Sequence, residues 1–81
     1  MQLLNIGYGS FLSKEKILVI LTPDSAPIKR IIQDSRERGL LIDASFGRKT
    51  KSVIVMDSSH VILSALAPEQ LIIRSSEKNE E

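Results

Sequence analysis

The chain has no cysteine, no tryptophan, one histidine and only three aromatic side chains in 81 residues. Without cysteine there is no disulfide framework and no thiolate metal site. His60 alone is too little for a histidine-built site. The absence of cysteine fits a reducing compartment. The longest strong apolar run is Ile17–Leu21, far below the roughly 20 residues of a membrane helix. The N-terminus places no positive region ahead of an apolar one, so no signal peptide is expected either.

A chain this short makes one domain with little core to set against chain entropy. Such chains often gain stability from disulfides, metals or self-association. Disulfides and thiolate metal sites are excluded and a histidine-built metal site is not expected, which leaves self-association. Ile, Leu and Val are abundant while aromatics are scarce, a balance suited to sheet-rich packing and subunit contacts. Formal net charge is +1, and its distribution says more than its value. The last five residues carry three acids and one lysine, so the preceding 76 hold ten basic and seven acidic side chains. Arg48, Lys49 and Lys51 supply three of those positives within four positions.

Residues 25–51 organise the chain. Ser25 is a suitable N-cap with Asp24 beside it, and Pro27 falls in the first turn, where a missing N–H costs little. Ile28, Ile31, Ile32 and Ser35 have the i, i+3, i+4, i+7 spacing of one helix face. Lys29, Arg30, Gln33, Asp34, Arg36, Glu37 and Arg38 lie mostly off that stripe and read as a solvated face. Gly39, preceded by Arg36 and Arg38, is a C′ stop. Residues 40–44 then form a short buried strand, and Gly47 opens a basic loop.

Around this centre, residues 1–6 read as an opening strand and Gly7-Tyr8-Gly9 as a bend or bulge, since the third glycine and following helix of a phosphate loop are missing. Phe11 and Leu12 make a brief pairing, and residues 13–16 a polar turn. Ile17–Leu21 has the continuous aliphatic character of a strand buried on both faces. Ser52–Met56 is a central strand, forming a hairpin with residues 60–63 through a turn at Asp57, Ser58 and Ser59. Pro68 and Glu69 open a short helix over 68–74 with Leu71 and Ile72 available to dock. Residues 75–81 should fray as an acidic, flexible tail. The expected fold is a single α+β domain over 1–74: an antiparallel-rich β-sheet, one central amphipathic helix and a short C-terminal helix.

Catalytic chemistry finds little support. No two carboxylates are paired at a predictable separation, and no P-loop, zincin helix or nucleophile elbow occurs. His60, near Asp57, Ser58 and Ser59, reads as a turn histidine. No catalytic residue, cofactor, metal, membrane or small-molecule substrate is expected. The basic loop from Gly47 to Lys51 is the best candidate site: Arg can clamp a phosphate with two N–H bonds, Lys adds a point charge, Thr50 adds a hydrogen bond, and Gly47 would let the backbone approach closely. A short charge run is also what a solvated turn looks like, and the loop alone leaves both readings open. Multiplicity shifts the balance. One such loop binds DNA poorly, whereas identical loops repeated around a symmetric assembly bind well because each later contact is intramolecular.

NIGYGS near the start, followed by PDSAPIKRIIQDSRERGLLIDASFGRKTKSVIVMDSSHVILSA, resembles the small bacterial RemA family, regulators of extracellular matrix genes. The similarity runs from Asn5 to about Pro68. It implies a cytoplasmic, nucleoid-associated DNA-binding regulator rather than an enzyme, in a family tied to the extracellular matrix and biofilm, without fixing which genes this chain regulates. It also implies homo-oligomeric rings that carry double-stranded DNA along basic outer surfaces, in the manner of histone wrapping. The family's paired basic positions after the glycine correspond to Arg48 and Lys49, and its basic residue in the early turn to Lys16. This chain has Lys at 16 and 49 where the family commonly has Arg, which keeps the charge and loses the bidentate fork. The expected DNA-binding set is therefore Arg48, Lys49, Lys51 and Lys16. An oligomeric structural or protein-interaction module without DNA binding is the alternative.

Overall fold

The computed structural model describes residues 2–76. Its centre is a pair of strands whose side chains are apolar on both parities. In β5 (Ser52–Met56), Val53 and Val55 point to one side and Ile54 and Met56 to the other; in β6 (Val61–Ser64), Val61 and Leu63 oppose Ile62 in the same way. A strand of that composition is stable only with both faces covered. Both faces are covered here, as expected for a central strand.

The elements follow the order β1 (Leu3–Gly7), β2 (Ser10–Ser13), a 3-10 turn (Lys14–Lys16), β3 (Ile17–Leu21), α1 (Ala26–Glu37), β4 (Leu41–Ala44), β5, β6 and α2 (Pro68–Ser76). β1 and β2 pair as an antiparallel hairpin, and the other four strands form one sheet in the order β3-β5-β6-β4. The β3–β5 and β5–β6 pairs are antiparallel; β4 joins β6 in parallel. The fold is α+β and antiparallel-rich, as expected. The chain leaves β3, crosses through α1 and returns at the far edge as β4, which makes the parallel pair possible.

On one face, Ile28 and Ile32 of α1 pack against Val53, Val61 and Leu63, with Leu21, Leu41 and Val55 around them. On the other, Leu4 and Ile6 of β1 and Leu71 of α2 meet Ile54, Met56, Ile62 and Ala44. Buried hydroxyls tie the layers: Ser64 Oγ donates to the Ile6 carbonyl at 2.8 Å, and Ser52 Oγ donates to the Leu66 carbonyl. α2 is clamped to the hairpin region, with the Arg74 guanidinium donating to the Asn5 carbonyl and Lys14 Nζ to the Ser75 carbonyl. The helix thus runs two residues past the expected Arg74, while residues 77–81 of the expected tail lie outside the described residues.

α1 begins and ends where its signals stand, with one difference. Ser25 is the N-cap in extended conformation, but its side chain makes no capping bond. At the other end, Gly39 has φ +73°, its N–H reaches the Arg36 carbonyl at 3.3 Å, and the Leu40 N–H reaches the Ser35 carbonyl at 2.9 Å. That pair of bonds is a Schellman stop.

Three apolar expectations are corrected. β3 is not buried on both faces: it is an edge strand, with Leu18 67% and Val19 40% exposed. β4 is the other edge, with Ile42 50% exposed. Only the two middle strands of a four-stranded sheet have neighbours on both sides, and an unbroken aliphatic run does not say which strands those are. Ile31 is 39% exposed and lies at the margin of the helix stripe. At about 100° per residue it falls roughly 60° to one side of Ile28, whereas Ser35 and Ile32 lie nearer the axis of contact.

Candidate nucleic-acid interface

The basic loop is built from the end of β4. Asp43 accepts hydrogen bonds from both the backbone N–H and the hydroxyl of Ser45, which turns the chain away from the sheet. These two donors hold the Asp43 carboxyl below its ordinary range; burial opposes them, and Arg36 adds a small favourable field. A tight turn follows. The Arg48 N–H donates to the Ser45 carbonyl at 3.1 Å, and the two residues between, Phe46 and Gly47, have φ +53° and +83°. Positive φ at both central positions marks the mirror-image turn. Gly47 therefore supplies a backbone conformation, where the sequence suggested it made room for a ligand. Phe46 adopts that conformation at a cost of about 1–2 kcal/mol.

Arg48 emerges from the turn and lies over Tyr8, its guanidinium carbon 4.0 Å from the ring centroid. Tyr8 stands between Gly7 and Gly9 at the tip of the β1–β2 hairpin, and all three residues have positive φ. Gly7 is required twice over, because a Cβ there would also approach the Leu66 side chain at 3.1 Å. A cation over an exposed ring is worth about 0.5–1 kcal/mol. Its larger effect is to fix the direction of a long, otherwise mobile side chain. Lys49 and Lys51 are exposed on the following segment, and the Lys51 N–H donates to the Ser64 carbonyl at 2.8 Å where β5 begins. Lys49, Thr50 and Lys51 line a shallow cleft of about 290 Å³ with Thr22, Asp24 and Glu69, so its charges are balanced within the cleft itself.

Arg48, Lys49 and Lys51 thus stand on one loop at one end of the molecule. Lys16 does not join them. Its carbonyl accepts from the Asp57 N–H at 2.7 Å, which places it beyond the C-terminal end of β5, opposite the end from which the loop leads in. Its ammonium is 3.9 Å from the Asp57 carboxylate, and both side chains are well exposed, a pair of little energetic weight. Within one chain the loop cations and Lys16 stand at opposite ends of β5.

Several of the other charged and polar residues have local partners. Arg38 meets Asp34 at 3.5 Å, and Gln33 bridges Arg36 and Glu37 along α1, as a solvated helix face should. Ser58 Oγ and His60 Nδ1 lie 2.7 Å apart and close the β5–β6 turn, while Asp57 is directed at Lys16. The sequence reading missed Tyr8 and Phe46. A signal was present for Tyr8: an aromatic between two glycines sits on a turn tip, where it faces outward. Nothing local pointed to its contact with Arg48, forty positions away.

Residues 3–74 match the RemA-like family, described as extracellular matrix regulatory protein A-like. The chain is 54% identical over 79 residues to extracellular matrix regulatory protein A of Bacillus subtilis, spanning 98% of this chain and 89% of that protein. It is 55% identical over 80 residues to a putative regulatory protein of Clostridium kluyveri, covering 99% of this chain and 87% of the relative. A putative regulatory protein of Caldicellulosiruptor saccharolyticus is 55% identical over 80 residues, with 99% and 79% covered. These relatives are named as regulators, which points away from an enzyme.

Proposed function

Since this chain belongs to the RemA-like family of bacterial regulatory proteins, we propose that it regulates extracellular matrix genes in the cytoplasm as an architectural, nucleoid-associated DNA-binding protein. Copies of the chain assemble, as a ring, and present Arg48, Lys49, Lys51 and Lys16 to the phosphates of one duplex. Bending or wrapping that duplex changes promoter access. Sequence preference then comes from DNA deformability more than from base contacts.

The observation that carries this reading is the basic loop itself: three cations within four positions of one loop, with the leading guanidinium lying over Tyr8. Assembly is supported by the uncovered aliphatic edge at Leu18 and Val19, which has neither a charge nor a proline to discourage pairing. Repetition supplies what one loop lacks, because each added contact on the same duplex is intramolecular. The position of Lys16 fits the same scheme: it belongs on a track continued by another copy.

The test combines a native mass measurement with fluorescence anisotropy on a matrix-promoter duplex and a random duplex. An assembly larger than a dimer at micromolar concentration is expected, with similar affinity for both duplexes. A stable monomer at that concentration would remove the avidity argument. An intact assembly that binds neither duplex would leave the exposed β3 edge as the chief functional surface, and the chain would be a structural or protein-interaction module.

A further inference from the structure

All three aromatic residues of the chain are exposed: Tyr8 is 50%, Phe11 56% and Phe46 58% open to solvent. Burying an aromatic ring is among the largest single contributions a small core can receive. Tyr8 has an evident task beneath Arg48. Phe46 has no comparable task in the fold. It occupies the first tip position of the Ser45–Arg48 turn at φ +53°, a conformation that glycine or asparagine adopts more easily. Neither the turn nor the core accounts for a phenylalanine there.

Its neighbours suggest what does. Phe46 precedes Arg48 by two positions and Lys49 by three, so an apolar ring projects from a loop whose following residues carry cations. Proteins that bend duplexes often use this combination: cations hold the phosphates on either side while an apolar ring enters between two base pairs and unstacks them. A protein partner covering the same tip would have to desolvate the cations, whereas a duplex neutralises them.

We propose that Phe46 is a wedge that partly inserts into a base step of the bound duplex and produces its bend. The inference rests on the DNA-binding reading above and assigns it a mechanism. Pyrimidine–purine steps unstack most easily, so the protein should favour sites carrying TA or CA/TG steps opposite the loop, without hydrogen bonds to base edges.

The test uses the full-length chain with short duplexes carrying 2-aminopurine at a central TA step, and a second set labelled at both ends to report bending by energy transfer. The variants are Phe46→Asn, which suits the positive φ, and Phe46→Trp, which keeps an aromatic wedge. Wild type and Phe46→Trp are expected to raise 2-aminopurine fluorescence severalfold and draw the duplex ends together. Phe46→Asn should bind about tenfold more weakly, with an unchanged salt slope, a silent 2-aminopurine and a straighter duplex. Bending and unstacking by Phe46→Asn equal to wild type would overturn the proposal, as would wild-type binding with silent 2-aminopurine. A smaller native mass for Phe46→Asn would overturn it by placing Phe46 between copies. Failure of wild type to bind any duplex would instead remove the DNA-binding reading, and the wedge with it.

Discussion

Replacing Arg48 and Lys49 together by alanine tests the basic loop most directly. Both side chains are exposed, and among the described residues neither forms an ion pair. Each is therefore available to displace a condensed counterion from a phosphate, worth about 0.9 in the slope of log affinity against log salt. Losing both should flatten that slope by about 1.8 for every subunit touching the duplex. Between 50 and 200 mM salt this removes about a 12-fold change in affinity per engaged subunit, and the factors multiply around an assembly. Lys16→Ala should remove less, because it takes away one point-charge contact per subunit where the double variant takes away two contacts. Tyr8→Leu keeps every charge, so the slope should hold while affinity falls by the value of one cation–π contact, about two- to fivefold per site. The assay is an anisotropy titration at four or more salt concentrations on promoter and random duplexes, with native mass followed in parallel. Unchanged affinity and slope in the double variant would refute the assignment and move the DNA surface to the Lys29, Arg30, Arg36 and Arg38 face of α1. A loss confined to one sequence would show that Arg48 reads bases, and the architectural mechanism would fall.

Three further outcomes test the fold. Ile31→Asp should cost about 1–2 kcal/mol, because Ile31 is only partly buried; a complete loss of the folded state in thermal denaturation would contradict its marginal position, and a drop in native mass alone would place it under a second copy. Gly39→Ala should cost about 1–2 kcal/mol in urea unfolding, since a Cβ there meets nothing within 4 Å and only the positive φ opposes it; a neutral result would disprove the left-handed stop. Because the folded-state pKa of Asp43 lies below its ordinary 3.8, the ionised carboxylate stabilises the fold above that pH, and the contribution is lost as pH falls through the depressed value. Ser45→Ala removes the hydroxyl donor and should shift acid unfolding to higher pH, whereas an unshifted acid titration would mean that the bond carries no weight.

The parts of this fold that could be read from sequence are those fixed by near neighbours. The span of α1 follows from the Ile28/Ile32 spacing and from a glycine that alone tolerates φ +73° easily. β5 and β6 follow from apolar residues on both parities around a short polar turn. Pairing order is a different kind of information. Ile17–Leu21 is more uniformly aliphatic than Ser52–Met56, yet the first is an edge and the second central, because strand position depends on how α1 carries the chain across the sheet. The basic loop was legible as a cluster of like charge. Its geometry was not, since the Tyr8–Arg48 contact joins two turns from opposite halves of the chain, and the strained Phe46 looks in sequence like an ordinary apolar residue at the end of a strand.

The placement of Lys16 beyond one end of β5 and of the basic loop before the other sets a length. Six residue steps of extended chain separate Lys51 from Asp57, the residue beside Lys16, which is about 20 Å at ~3.4 Å per step. Along B-form DNA the same distance is roughly six base pairs, a little more than half of a 10-base-pair turn. A duplex running parallel to β5 on the outside of the molecule, as the proposed function would have it, would reach the loop and Lys16 of one subunit at different helical phases. Whether both can grip it depends on how far the duplex is rolled and curved. On the proposed DNA-binding reading, the length of β5 would set the spacing between the loop and Lys16 that a bound duplex has to follow.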